Sequence, residues 1–399
     1  MCSTARSTSM CARSGEPVDE SERFGQDRNF AGRRAMNGIG REIWLRSVDV
    51  PFHRSFRSFG VPVLAPFHIS FAVTYRCLNL CQTCQSFKKS RMRELTLNEY
   101  ASVFDKMTFS PFCATFTGGE PFLRQDFGKI AALACKKLKP AIVMFETCGD
   151  HPERVRRVVS ALAGHYSDIL FIVWISMDGT GEALDSMRGG VPGSFESALK
   201  TYRLMRGSPA TNLLVGFNAV VSRYNAALAP KLLDDLFMLY PDLVSLDAAG
   251  GAEALGVAGV DVSPTAEEFA TAVEAYLEKL NALRGRGEIR FMKRLLARRA
   301  ETALESLRTN DRAGNCFAGH AYLYIDPRGS VCDCPVAARE MGDLRENDYS
   351  LERVLKSATA RQVRKQVNSG VCACAMSATS MANMFMSPGG YVNLAGASV

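Results

Sequence analysis

The chain has 399 residues, 47% of them hydrophobic, and carries 48 Lys and Arg against 41 Asp and Glu, a net charge of +7. This is enough apolar content for one large domain plus a smaller one. No apolar run approaches the ~18 residues a membrane helix needs; Ile169 to Met177 is only strand-sized, and the N-terminus has no apolar signal segment, so a cytoplasmic protein without a membrane partner is expected. Thirteen cysteines would mean disulfides in a short secreted chain, but most fall into two groups with metal-like spacing, which points to a reducing compartment. Cys2, Cys11, Cys113, Cys135 and Cys148 lie outside those groups and read as buried or unpaired thiols.

Residues 1–40 are rich in Ser, Arg, Gly and Glu without periodicity, and disorder is expected there. Residues 41–66, with Ile43, Trp44, Leu45 and the Phe52, Phe56, Phe59 series, read as a helix and lead-in covering part of the core. They are too short for a separate recognition domain. From Phe67 the chain alternates apolar strand-like runs with helical patterns, which argues for βα units and a parallel sheet. The strands expected are Phe67–Thr74, Phe112–Thr117, Ala141–Thr147, Leu170–Met177, Leu213–Val221 and Leu243–Asp247. Helices are expected near Leu97–Lys106, Phe127–Leu138, Glu153–Leu162, Phe195–Arg206, Pro230–Tyr240 and Pro264–Arg284, the last with Ser263 as N-cap. The fold class is therefore α/β, a partial (β/α)6 barrel over 67–285, whose chemistry belongs at the C-terminal strand ends.

A linker, 286–312, follows. From Ile289 to Leu307 the apolar residues Met292, Leu295, Leu296, Ala303, Leu304 and Leu307 recur at helical spacing, with Arg290, Lys293, Arg294, Arg298 and Arg299 between them. The basic face reads as solvated. An anionic ligand or nucleic acid is the alternative, and the lack of interleaved aromatics argues against RNA.

The first strand leads into Cys77, Cys81 and Cys84, spaced C-x3-C-x2-C. Three such thiolates can hold three irons of a [4Fe–4S] cluster and leave the fourth open to another ligand. A zinc knuckle is the alternative, though zinc sites favour C-x2-C pairs and a nearby fourth ligand. The segment Phe71 to Cys84 closely resembles the signature of the radical S-adenosylmethionine (SAM) superfamily, and the resemblance extends over about residues 67–374.

Other strand ends carry the resemblance further. Thr117-Gly118-Gly119-Glu120-Pro121 could be only a tight turn, yet its glycines let a ligand approach, their N–H groups can meet a carboxylate, and Glu120 can accept from an ammonium. The run is similar to the family's Gly-Gly-Glu motif, which holds the amino group of SAM. Ser176 and Asp178 alternate along the end of the fourth strand, so both can face the barrel mouth. With Arg188 in the loop beyond, they resemble the family's ribose-binding strand end. The bland readings are a turn at Asp178-Gly179 and a surface ion pair at Arg188. Asn218, on the fifth strand, takes the place of a polar residue near SAM in relatives, or else bonds to backbone. Two positions depart from the pattern and bear on adenine contacts. Thr83 replaces the usual aromatic residue before the third cysteine, and Thr147-Cys148-Gly149 replaces Thr-Asn-Gly.

The segment 313–399 holds the second cysteine group. Cys316 precedes an alternating stretch, His320 to Asp326, then a turn at Pro327–Ser330 and a return strand with Cys332 and Cys334. A helical stretch, Leu351–Val367, leads to Cys372 and Cys374. A small hairpin-plus-helix extension that gathers cysteines resembles the SPASM/twitch extension of radical SAM maturases, which binds a second, auxiliary iron–sulfur cluster. Cys316, Cys334, Cys372 and Cys374 are the ligands implied, with Cys332 as a competitor for one position; a structural zinc site is the alternative. Met376, Met381, Met384, Phe385 and Met386 read as a cap on the core.

The function expected is a radical SAM enzyme with a [4Fe–4S] cluster, SAM, an auxiliary cluster and an external reductant such as flavodoxin or ferredoxin. The substrate is a small molecule or a peptide. A non-catalytic metal-binding regulatory module is the alternative, and the strand ends at 118–120 and 176–178 argue against it.

Overall fold

The computed structural model describes residues 41–42, 45–89, 91–283, 288–370, 372, 374–376 and 378–387. The segment 1–40 and the Ile43-Trp44 pair lie outside these residues. The lead-in contains helix α1 (Val50–Phe59), in which Phe56 is buried while Phe52 and Phe59 face outward.

Six strands run in chain order and pair in parallel: β1 (His68–Ala72), β2 (Cys113–Thr117), β3 (Ile142–Thr147), β4 (Leu170–Ser176), β5 (Leu213–Val221) and β6 (Leu243–Ala248). Between them run α2 (Leu97–Lys106), α3 (Phe127–Leu138), α4 (Pro152–His165), α5 (Glu182–Met187), α6 (Ser194–Arg206) and α7 (Ala229–Phe237). The two-residue period of a strand sorts each one into two faces. Phe71, Phe116 and Phe145 are register partners on neighbouring strands, and Phe171 lies on the same face two residues out of register; successive ring centroids are 5.7, 5.9 and 6.1 Å apart. All four are fully buried, and each contributes about 1.5–3 kcal/mol of burial. The opposite face presents His68, Thr115, Thr117, Glu146, Trp174 and Asn218 to an interior cavity. A sheet this polar on one face is organised around that cavity rather than around a closed core.

Helix α8 (Ala266–Ala282) begins two residues later than the sequence suggests. Thr265, not Ser263, caps it, because Glu268 at the third helical position completes the reciprocal bond to the Thr265 backbone. Helix α9 (Glu288–Thr309) buries Met292, Leu295, Leu296, Ala303 and Leu304 as the periodicity requires. Its basic face is not wholly solvated, however: Arg299 reaches into the barrel and donates to both oxygens of Asp247, at 2.7 Å from Nε to Oδ1.

The C-terminal extension is part of the same sheet. β7 (Tyr322–Ile325) pairs in parallel with β1, His68 opposite Tyr322, and β8 (Ser330–Cys332) and β9 (Glu340–Asp343) continue antiparallel beyond it. The order among the described residues is β6-β5-β4-β3-β2-β1-β7-β8-β9. The expected helix 351–367 is two, α10 (Leu351–Lys356) and α11 (Ala358–Asn368). It breaks at Ser357, whose side chain caps the second at the N–H of Ala360. A last helix, α12 (Ser380–Met386), packs Phe385 on Phe67 and Phe112 at 4.8 and 5.6 Å, the capping role expected of this tail.

Candidate functional site

A cavity of about 340 Å³ opens at the C-terminal ends of β1–β6, and Cys77, Cys81 and Cys84 border it. The loop carrying them is strapped to the loop after α5: the N–H of Leu80 donates to Arg188 O at 3.0 Å and that of Gln82 to Met187 O at 3.2 Å. Gly189 makes this approach possible, since a Cβ there would lie 2.6 Å from Leu80 Cβ and its φ is +80°. Burial pushes the thiols of Cys81 and Cys84 up, while a hydrogen bond from Cys148 pulls Cys77 down. Thiolates so enclosed need compensating positive charge, which iron supplies. Among the described residues no three His, Cys, Asp or Glu side chains converge on a single-ion site; the cysteines surround open space instead. The donor set fits a cluster.

Gly118 and Gly119 line the cavity, but close packing is their first requirement. A Cβ on either would sit 2.3 Å from a carbonyl oxygen of the cysteine loop, that of Thr74 or Arg76. The N–H groups of Gly119 and Glu120 donate to these same two oxygens, at 2.7 and 2.8 Å, so of the two glycine N–H groups that the sequence offers a carboxylate, that of Gly119 is already engaged. Glu120 is 1% exposed and lies behind Thr147 and Cys148, which border the cavity while it does not. It accepts from the N–H of Phe122 (3.0 Å), the hydroxyl of Thr147 (2.9 Å), and the N–H and thiol of Cys148 (both 2.7 Å). It thus ties the end of β2 to the end of β3.

Arg188 is no surface ion pair. It is buried and borders the cavity, donating to Cys148 O and Ser176 O at 2.8 Å each and pairing with Asp150 at 3.2 Å. Ser176 and Asp178 both border the cavity, as the alternation requires. Asp178 accepts from the N–H of Val220 at 2.9 Å, and burial pushes its carboxyl up to about 6. Asn218 also borders the cavity, and its Oδ1 has no protein partner, so it is not the backbone-bonded amide of the bland reading.

Sequence reasoning did not single out the deeper lining. Glu146, His68, Trp174, Asp247 and Arg299 all reach this cavity. The signal available was polar residues at every second position of buried strands, most plainly a glutamate inside Ile142–Thr147. Cys148, read as a spare thiol, borders the same space.

A second cavity, of about 190 Å³, is bordered by Cys316, Cys334, Cys372 and Cys374. Backbone N–H groups of Ala318 and Ala337 point to the sulfurs of Cys316 and Cys334 at 3.5 and 3.4 Å, and Arg339 donates to Cys372 Sγ at 3.3 Å. Burial pushes Cys334 up, and Cys374 up to about 11. Donors aimed at sulfur and desolvated thiols fit a thiolate-held cluster. Cys332 is buried elsewhere and borders neither cavity. Arg299, Met376, Ala378 and Ser380 line both cavities, so a thin wall separates them.

Comparison with known proteins fits this geometry. The family model for the Radical SAM superfamily matches residues 71–223, and that for SPASM, an iron–sulfur cluster-binding domain, matches 316–375. Fe-coproporphyrin III synthase of Methanosarcina barkeri (strain Fusaro / DSM 804) is 28% identical over 166 residues, which is 41% of this chain and 39% of that relative's length. Among solved structures, native anSMEcpe with bound AdoMet and the Cp18Cys peptide superposes with a TM-score of 0.54 at 14% identity, over 76% of this chain and 84% of that one. Streptococcus suis SuiB bound to its precursor peptide SuiA gives 0.55 at 13%, over 78% and 70%. At these identities the likeness to the solved structures is one of fold.

Proposed function

Because the chain belongs to the radical SAM superfamily of enzymes and carries a SPASM iron–sulfur domain, we propose that it cleaves SAM at a cluster held by Cys77, Cys81 and Cys84 and takes a hydrogen atom from a substrate in the interior cavity. One observation carries this reading: a single cavity runs from the three cysteines past Ser176, Asp178 and Asn218 down the polar face of the strands. Bound there and reduced, the cluster with SAM supplies the 5′-deoxyadenosyl radical, the hydrogen-abstracting agent of this family.

The protein's part is placement and shielding. Arg188 and Glu120 fix the ends of β2, β3 and β4 relative to the cysteine loop. Gly118 and Gly119 border the methionine end of SAM; Ser176, Asp178 and Asn218 offer acceptors on the ribose side. Met292, Leu295 and Leu296 of α9 close the cavity with apolar side chains, which excludes water from the reacting carbon. Cys316, Cys334, Cys372 and Cys374 would hold the auxiliary cluster behind the shared wall, and that cluster would supply an electron acceptor on the product side. A flavodoxin- or ferredoxin-type reductant serves the first cluster. The substrate is a small molecule or a side chain of a peptide; anSMEcpe and SuiB, which share the fold, have each been solved with a peptide bound.

The test is anaerobic reconstitution followed by reduction in the presence of SAM. Wild type yields 5′-deoxyadenosine and methionine, and the variant with Cys77, Cys81 and Cys84 all replaced by Ala yields none. Undiminished cleavage in that variant refutes the assignment.

A further inference from the structure

The floor of the cavity holds a carboxyl that makes no ion pair among the described residues. β3 is buried at every position but one: Glu146, whose side chain opens onto the cavity while protein encloses it elsewhere. Among the described residues its one hydrogen bond comes from the Thr117 hydroxyl, at 2.7 Å. Arg299 is the guanidinium close enough to influence it, yet both of that residue's bonds to a carboxylate go to Asp247. Glu146 is therefore left without a guanidinium bonded to it among the described residues. The other arginine on the cavity wall, Arg188, is committed to Asp150 and two carbonyls.

The surrounding atoms favour the same kind of guest. His68 borders this space and is 6% exposed; its Nδ1 is buried without a protein partner, while Nε2 meets Thr115 Oγ1 at 2.9 Å. Burial holds its imidazole neutral, with a pKa lowered to about 3, so it adds no cation. Asn218 Oδ1 is likewise unpartnered. Trp174 stands opposite Glu146 in the β3–β4 register and borders the cavity too. Gly216 makes room for its ring, since a Cβ there would lie 2.8 Å from the indole. Burial pushes the Glu146 carboxyl up, so its charged form gains most from a cation brought beside it, and with an indole opposite in register this suits an ammonium group.

We propose that this floor is a subsite for a protonated primary amine of the substrate, with Glu146 as the anchor. The proposal rests on the reading of the cavity as the substrate site. It commits to the amine; whether that group arrives on a free small molecule or on a peptide is separated by the experiment.

The protein is reconstituted anaerobically and loaded with SAM, and ligand-observed NMR is used to titrate n-butylamine, n-butanol and n-butyrate. Butylamine is expected to bind at least about tenfold more tightly than either of the others, the difference a charge-assisted hydrogen bond makes. Glu146→Gln is expected to remove that preference. Equal binding of butylamine and butyrate by wild type overturns the proposal without needing any variant. So does Glu146→Gln that keeps wild-type amine affinity. A variant that instead loses SAM affinity also overturns it, because the carboxylate then serves the cofactor's sulfonium. A parallel arm compares Nα-acetyl-lysine methylamide with glycine methylamide: preference for the first supports an amine carried on a peptide side chain, and binding of butylamine alone supports a free amine. If wild type binds butylamine selectively yet never cleaves SAM, the subsite stands and the enzymatic reading falls.

Discussion

Replacing Glu120 by Ala removes an acceptor that four donors share in a space water cannot enter. The N–H groups of Phe122 and Cys148 are fixed by backbone and cannot turn elsewhere, whereas the Thr147 hydroxyl and the Cys148 thiol can rotate. A buried donor left unsatisfied costs about 1–3 kcal/mol, so the two N–H groups together put the loss at about 2–6 kcal/mol. Glu120→Gln keeps one carbonyl oxygen for Cys148 N–H but sets an amide N–H₂ against another donor, a loss of about 1–3 kcal/mol. The expected order is wild type, then Gln, then Ala. Equilibrium urea unfolding followed by tryptophan fluorescence reads it, because Trp174 lies in the same sheet. A Glu120→Ala protein within about 0.5 kcal/mol of wild type, a typical surface-substitution effect, would show that the carboxylate ties nothing together.

The remaining predictions concern the auxiliary site and pH. Reconstituted wild type should hold about eight irons and the protein lacking Cys77, Cys81 and Cys84 about four, as two cubes require. In that background Cys334→Ala should lose the remainder and Cys332→Ala should keep it; the reverse pattern by iron analysis and Mössbauer spectroscopy would overturn the ligand set. Asp178 has its folded pKa raised by burial from 3.8 to about 6. A raised pKa means its stabilising contribution is complete below about pH 4 and is lost as pH climbs through about 6. Asp178→Asn, uncharged throughout, should therefore gain stability relative to wild type between pH 4 and pH 8 in parallel urea titrations. A flat difference would show that the carboxyl is solvated.

Local patterns made most of the barrel legible. β5 and the helices Leu97–Lys106 and Phe127–Leu138 lie where periodicity puts them, and the other strands differ only at their ends. The cysteines were legible because cluster spacing is a local property. Orientation was harder. A helical wheel puts Arg299 among solvated arginines, and only the position of Asp247 across the barrel turns it inward. Glu120 was read as facing a ligand, yet its partners come from β3, far along the chain. Residues two apart on a strand share a face, so strand periodicity could not separate Cys332 from Cys334; β8 ends at Cys332, and the turn beyond it, closed by the Ala338 N–H on Cys334 O, carries Cys334 to the second cavity.

The pairing of β1 with β7 has a consequence for how the protein is made. The strand that precedes the cluster loop has one neighbour, β2, soon after it in the chain, and its other neighbour more than half the chain later. Until residues 322–325 leave the ribosome, His68–Phe71 presents an unpaired, apolar edge, the kind that recruits strands from other chains. Contacts this distant in sequence also form slowly. Expression of 67–285 alone should therefore give aggregates rather than a smaller folded barrel, and co-expression of the missing C-terminal segment should recover soluble material.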